Sequence, residues 1–276
     1  MGETRSVLIT GCSSGIGLAT AEFLACRGWR VVASARRPGD VEKLRVRGLA
    51  AVELDVADPE SIGTALDAAL ELTGGRLDGL VDNAGIAVPG AVEDLKREHL
   101  QRQFDTNLFG TLELTNRVLP LMRRQGHGRV VMMSSILGLV AVPWRGAYNA
   151  SKFALEGLTD SLRLELRGSG IRVSLINPGP VQSRFRDNSL ANFDAWVETG
   201  TSPHQDQYVR LRAETGARKD DQPFTVGPEV VARKIAHALE SPHPKARYYV
   251  TVPAYVLAAA RCLLPTVLLD SLLSRI

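Results

Sequence analysis

The chain has 276 residues, 45% hydrophobic and 23% charged, with a net charge of +3 at neutral pH. That composition can bury a large core and excludes a chain dominated by disorder. The charge balance is too close to neutral to argue for a nucleic-acid surface, so the many arginines read as a solvated exterior. The three cysteines, Cys12, Cys26 and Cys262, form no CxxC pair, and His127 and His237 have no ligand partners nearby in sequence. Neither a disulfide framework nor a metal site follows, and the odd cysteine count suits a reducing cytoplasm. The start, Met1-Gly2-Glu3-Thr4-Arg5, runs directly into an apolar strand without a signal-peptide pattern.

Short apolar runs then alternate with longer helical patterns. The first strand covers 7–10 and a helix follows over about 15–27. Strands are predicted at 30–34 and 51–54, a helix at 59–72 with Pro59 at its start, and a fourth strand at 77–82. Residues 95–124 form one long helical region that Pro120 ends or kinks. A fifth strand at 129–134, a helix at 148–167, a sixth strand at 171–177, a helix at 229–240 and a seventh strand at 247–252 complete the series. Strands of this length between helices imply right-handed crossovers, a parallel sheet and helices on both faces. The expectation is a doubly wound, three-layer α/β fold with a seven-stranded sheet, one domain over 1–276.

Two segments stand apart. The pattern weakens over 182–226, a stretch too long for an ordinary connection and placed to cover the crevice beyond the strand ends. The tail, 252–276, is strongly apolar but interrupted by Arg261, Pro265 and Asp270, so it is too broken to span a bilayer. Helices packing on the domain or on a second subunit are the favoured reading. A lid or a peripheral membrane contact is the alternative.

The turn Thr10-Gly11-Cys12-Ser13-Ser14-Gly15-Ile16-Gly17 joins the first strand to the first helix. Its glycines let the backbone turn tightly and approach a pyrophosphate, and the helix N-terminus offers unpaired N–H groups to phosphate oxygens. The spacing is GxxxGxG, not GxGxxG. Further on, Tyr148 and Lys152 are four apart, which places both on one face of a helix. A phenol beside a fixed ammonium can carry a proton at neutral pH, because the positive charge favours the phenolate. A dinucleotide turn with a proton carrier points to an alcohol/ketone oxidoreductase.

The chain resembles the short-chain dehydrogenase/reductase family from about Ser6 to Tyr249. The resemblance rests on the glycine turn, Asp55-Val56, Asn83-Ala84-Gly85, Asn107, Ser135, Tyr148 with Lys152, and Pro178-Gly179. Within the family, Gly2 to Gly28, Tyr148 to Glu156 and the apolar tail are most similar to the branch of 17β-hydroxysteroid dehydrogenase type 1 and related retinol dehydrogenases. The resemblance implies a Rossmann-type fold and a nicotinamide cofactor held by Gly11, Ser13, Ser14, Gly15, Ile16 and Gly17. Asp55 would contact the adenine amino group, with Val56 flanking the ring. Asn83, Ala84 and Gly85 would let the cofactor pass closely, Asn83 also stabilising the sheet.

NAD-preferring relatives carry Asp where this chain has Ala35, and Arg36 follows with a fork suited to phosphate. With Ser13 as an added hydroxyl donor, this argues for NADP(H), with NAD(H) also admitted. The alternative is that Arg36 and Arg37 are plain surface cations. The resemblance further implies that Tyr148 is the general acid/base and that Ser135, thirteen residues before it, orients the substrate oxygen. Lys152 would hydrogen-bond the nicotinamide ribose, and Asn107 would hold a water linked to that lysine. Pro178 and Gly179 form the PG motif, Val181 would reach the carboxamide through its backbone, and Ser183 keeps a hydroxyl where many relatives have Thr.

Leu137, Leu139, Val142, Trp144 and Phe185 flank these motifs and suggest an apolar pocket for a bulky substrate such as a steroid, retinoid or long-chain carbonyl. His204 and Tyr208 are weaker candidates for contacts to substrate polar groups. A homodimer or homotetramer pairing through the helices of Asn107 and Tyr148 is expected. A catalytically silent redox sensor on the same fold is the competing class, but it would not need the Asn107/Ser135/Tyr148/Lys152 set.

Overall fold

The computed structural model describes residues 4–197, 200–217 and 223–274. Strands β1 (Ser6–Ile9), β2 (Arg30–Ala35), β3 (Ala50–Glu53), β4 (Gly79–Asp82), β5 (Gly128–Met133), β6 (Ile171–Asn177) and β7 (Arg247–Tyr249) form one sheet in the order β3-β2-β1-β4-β5-β6-β7. Every neighbouring pair is parallel. The central strands are buried along their whole length, as a sheet covered on both faces requires.

Alternate residues of each strand feed two cores. Val7, Ile9, Val31 and Ala33 pack with α1 (Gly15–Cys26), α2 (Pro38–Val46) and α9 (Pro228–Glu240). Leu8, Val32, Leu80 and Val130 pack with α3 (Pro59–Thr73), α5 (Gly110–Gln125) and α6 (Gly146–Glu165) on the opposite face. Helix α3 illustrates the local logic. Asp58 caps it by accepting from the Glu60 N–H at 3.0 Å, Pro59 opens it, and Gly74 closes it at φ +72°.

Several elements differ from the sequence expectation. Helix α2 goes unread in the sequence because it buries only Val41 and Leu44, too few for a periodic signal. The single helical region at 95–124 is three pieces: α4 (Arg97–Phe104), a π-helical turn at Asp105–Phe109, and α5. Pro120 lies inside α5 without ending it. It and Asn116 are exposed, so the carbonyl that loses its donor faces water. The weak stretch 182–226 contains α7 (Phe185–Trp196) and α8 (Gln205–Ala217). Strand β7 stops at Tyr249, and Thr251 caps α10 (Val252–Leu263), which Pro265 separates from α11 (Thr266–Leu273).

Gly110 follows the π turn, and a Cβ there would lie 1.7 Å from the Val56 carbonyl oxygen. The turn therefore sits directly on the loop after β3. Gly110→Ala is expected to lower stability by about 1–3 kcal/mol, read as a reduced denaturant midpoint at unchanged slope. An unchanged midpoint would show that this contact does not fix α5.

Candidate active site

Strands β1 and β4 are the neighbours at which the chain switches direction across the sheet, so a crevice opens at their carboxyl ends. The two strand ends are stitched together there. Thr10 Oγ1 accepts from the backbone N–H groups of Asn83 at 2.9 Å and Ala84 at 2.8 Å. Asn83 Nδ2 donates back to the carbonyls of Thr10 at 2.9 Å and Gly11 at 3.1 Å. The glycine turn and the Asn83-Ala84-Gly85 segment are thus one unit.

Space and backbone geometry fit a dinucleotide at this turn. Gly11 and Gly15 have φ of +72° and +59°, and a Cβ on Gly17 would meet the Gly11 carbonyl oxygen at 2.3 Å. Ser14 starts α1 in extended conformation without a side-chain capping bond, so the first-turn N–H groups have no side-chain partner. Arg36 Nε lies 4.0 Å from Asp55 Oδ2, and both side chains are open to solvent. Val56 is buried beside them. Arg184, unread in the sequence, donates from Nη2 to the Ser13 carbonyl at 3.1 Å. Asp40 is held below the usual carboxylate range, first by a hydrogen bond from Lys43, with Arg184 and Arg37 adding. Arg36, Arg37 and Arg184 thus concentrate positive charge at the outer edge of the turn.

The candidate proton-transfer residues converge at the ends of β4 and β5. Ser135 opens a short 3₁₀ turn after β5, accepting from the Leu137 N–H at 3.1 Å, and hydrogen-bonds the Tyr148 phenol. Tyr148 and Lys152 share one face of α6, with Lys152 Nζ 5.7 Å from the phenol ring centroid. Lys152 donates to the Met133 carbonyl at 2.7 Å. Asn107 projects from the π-helical turn. It accepts from the Ile86 N–H at 2.8 Å and donates to the Ile86 carbonyl at 3.0 Å and to Ser151 Oγ at 3.2 Å. A Cβ on Gly85 would sit 3.3 Å from Asn107 Oδ1 and 3.9 Å from Lys152 Nζ. Glycine therefore keeps open the gap between the amide and the ammonium.

Desolvation sets the electrostatics of the site. The Tyr148 phenol is raised above its ordinary value by desolvation, which outweighs the hydrogen bond from Ser135. The phenol therefore keeps its proton at neutral pH. Lys152 is pushed down to about 8 by burial, with Glu156 pulling it back up.

A buried network behind the site was not legible in the sequence. Asn177 Nδ2 donates to the Ser135 carbonyl at 3.2 Å and to Glu156 Oε1 at 2.6 Å. Arg247 then bridges Glu156 at 3.0 Å and Asp160 at 2.5 Å. The available signal was Glu156 standing four residues after Lys152. Asp82, just before Asn83, is raised to about 7 by burial and accepts from Thr115 at 2.9 Å.

On the far side, the Ile136 N–H donates to the Pro178 carbonyl at 3.0 Å, and a Cβ on Gly179 would meet Thr251 Oγ1 at 2.1 Å. Val181 bridges to Val226 through the Pro180 carbonyl and the Gln182 N–H, which leaves its own N–H and C=O outside that pairing. Ser183 Oγ accepts from the Phe185 N–H at 3.4 Å. Phe185 packs its ring 5.7 Å from that of Tyr148. Leu137, Leu139 and Val142 are partly buried and pack against the cluster that includes the tail helices. Trp144 joins a small cluster with Ala91, Phe193, Val197 and Tyr208. Its φ of +61° is unusual for a bulky residue and is held by the Gly90 N–H donating to its carbonyl at 2.9 Å. His204 and Tyr208 are structural. Tyr208 is buried, donates to Asp94 and accepts from the Ala91 N–H at 2.9 Å, while His204 pairs with Glu93.

The lowered Lys152 value has a testable sign. Its charged form is penalised in the fold, a cost fully present below about pH 8 that disappears as pH rises to the unfolded value of 10.5. Wild type should therefore gain about 3 kcal/mol relative to Lys152→Met across that window, measured as denaturation midpoints at stepped pH. A constant difference would show that the ammonium is not desolvated.

Comparison with known proteins gives the same assignment. The family model described as short chain dehydrogenase matches residues 5–193. The chain is 42% identical over 269 residues to the uncharacterized oxidoreductase YbbO of Escherichia coli (strain K12), covering 98% of this chain and 94% of that one. It is 37% identical to human retinol dehydrogenase 8, covering 88% and 80% of the two chains, and 35% identical to human 17-beta-hydroxysteroid dehydrogenase type 1, covering 89% and 77%. A solved short-chain dehydrogenase/reductase from Burkholderia phymatum in complex with NAD superposes with a TM-score of 0.78 at 27% identity, covering 94% and 92%. The oxidoreductase relatives leave the silent-sensor alternative without support. With its glycine turn, its Ser135/Tyr148/Lys152 cluster and its seven-stranded sheet, the chain belongs to the short-chain dehydrogenase/reductase family, oxidoreductases acting on CH–OH or C=O groups with a nicotinamide dinucleotide.

Proposed function

We propose that the protein is an NADP(H)-dependent oxidoreductase for a bulky hydrophobic alcohol or ketone, of steroid, retinoid or long-chain carbonyl type. The observation that carries this reading is the meeting of Ser135, Tyr148 and Lys152 at the end of the crevice that the glycine turn floors. Bound nicotinamide would supply or accept the hydride. The chain's own residues handle position and proton. Ser135 holds the substrate oxygen, and Tyr148, still protonated, delivers its phenolic proton to that oxygen during reduction and recovers it during oxidation. Lys152 contributes charge and a ribose hydrogen bond, and Asn107 across the Gly85 gap completes a proton path.

Support for the phosphate-bearing cofactor is the open Arg36, with Arg184 as a second cation over Ser13. Ala35 offers no carboxylate to repel a 2′-phosphate. Support for an apolar substrate is Phe185 against the reactive phenol. The likeness to proteins named for retinol and 17-beta-hydroxysteroids adds to it. Exposed Phe109, Phe153, Leu158 and Leu164, on the π turn and α6, favour pairing of copies through these helices as a dimer or tetramer. Three unpaired cysteines suit a cytoplasmic site of action.

Tyr148→Phe is expected to lower turnover of a bulky ketone by about 10²–10⁴-fold while leaving NADPH affinity nearly unchanged, as read by fluorescence titration and absorbance assay. Near-normal turnover would refute the acid/base role. Arg36→Ala should weaken NADPH about tenfold or more while sparing NADH. Equal losses for both cofactors would show that Arg36 does not read the 2′-phosphate.

A further inference from the structure

The two tail helices have one face in the fold and one in solvent. Ala254, Ala258, Leu269 and Leu273 are buried against Ile136 and Val140, in the loop that begins at Ser135. The other face of α10 carries Val252, Tyr255, Val256 and Leu263, all more than half exposed, at the spacing of a helical stripe. Val267, Leu268 and Leu272 extend it along α11 with exposures of 79%, 56% and 42%. Seven large apolar side chains in two consecutive helices make a patch beyond the scatter of a soluble surface. Among the described residues no helix is long and apolar enough to cross a membrane.

The neighbourhood of this patch is cationic. A cleft of about 550 Å³ opens beside α10, with Tyr255 as a shared wall. Arg233, Lys234, His237 and Lys245 line it, and no carboxylate does. Arg247, also in its wall, is occupied by Glu156 and Asp160. On α10 and α11 themselves, Arg261 and Asp270 offset each other. An apolar stripe bordered by unopposed cations matches a surface that is apolar within and anionic at its rim. A second copy of this chain would set cations against cations in a self-complementary contact.

We propose that α10 and α11 form a docking face for an anionic phospholipid bilayer. The exposed stripe enters the headgroup–acyl boundary, while Arg233, Lys234 and Lys245 meet lipid phosphates. The buried side of the same helices carries the loop after Ser135, so the catalytic loop stands about one helix diameter, ~10 Å, from the lipid. Docking rests on the surface alone. The consequence that an apolar substrate is drawn from the bilayer rests on the proposed function.

The test is co-sedimentation of the full chain with vesicles of phosphatidylcholine alone and of phosphatidylcholine mixed with phosphatidylglycerol. Binding is expected to the mixed vesicles only and to weaken with added salt. Arg233→Gln and Lys245→Gln should each weaken it about fivefold, and Leu263→Asp with Val267→Asp should abolish it. Unchanged thermal midpoints and NADPH binding would show that the variants are folded. Absence of binding to mixed vesicles, or binding that neither set of variants alters, overturns the proposal. So does a dimer in light scattering that Leu263→Asp dissociates while the wild type ignores vesicles, because the occupant is then a second copy. Since no arm reads turnover, a wrong catalytic reading leaves the result interpretable.

Discussion

The hydroxyl of Thr10 and the carboxamide of Asn83 hold together the two strands between which the chain changes direction. That point is a seam in the sheet, because the connections on either side lead away from it. Four hydrogen bonds between 2.8 and 3.1 Å close it. The Thr10 and Gly11 carbonyls and the Asn83 and Ala84 N–H groups are thereby satisfied within the protein. The remaining first-turn groups of α1 stay available for phosphate. Gly11 and Gly17 matter for the same reason, since a methyl group at either position would push the stitched loops apart.

The reactive groups are held under an electrostatic cost. Lys152 is buried and Tyr148 partly buried, and desolvation moves each toward its neutral form. A lysine at about 8 remains mostly charged at neutral pH, and a phenol raised by desolvation remains protonated. That combination is a protonated phenol beside a cation, the state that the proposed proton transfer to a carbonyl oxygen requires. The Asn177–Glu156–Arg247–Asp160 chain ties the Ser135 carbonyl to α6 and to β7. Ser135 and Tyr148 therefore stand on two elements that share one rigid support.

The sheet and the site residues were legible because their signals are local. Fully apolar strands, a glycine turn between a strand and a helix, and a tyrosine and lysine four apart need no tertiary information. What escaped was set by contacts distant in sequence. Helix α2 buries too little to show a period. That the tail helices pack against Leu137 and Leu139, and Tyr208 of α8 against Trp144, could not be read from their place beside Ser135. Tyr208 resembled an exposed loop residue and is locked to Asp94, more than a hundred residues away. Arg184 reaches the glycine turn only because the chain after β6 folds back over it.

The π-helical turn at Asp105–Phe109 has a consequence for how this chain can vary. One extra residue in a helical turn shifts everything beyond it by about 100° around the axis. Asn107 thereby faces Ile86 and Ser151 while Leu114 and Val118 still face the core. Deleting one residue of this turn would restore ordinary helical geometry and remove the widened turn from which Asn107 projects. Both the asparagine at 107 and the length of the turn are therefore constrained, because each is needed to bring that carboxamide to Ile86 and Ser151.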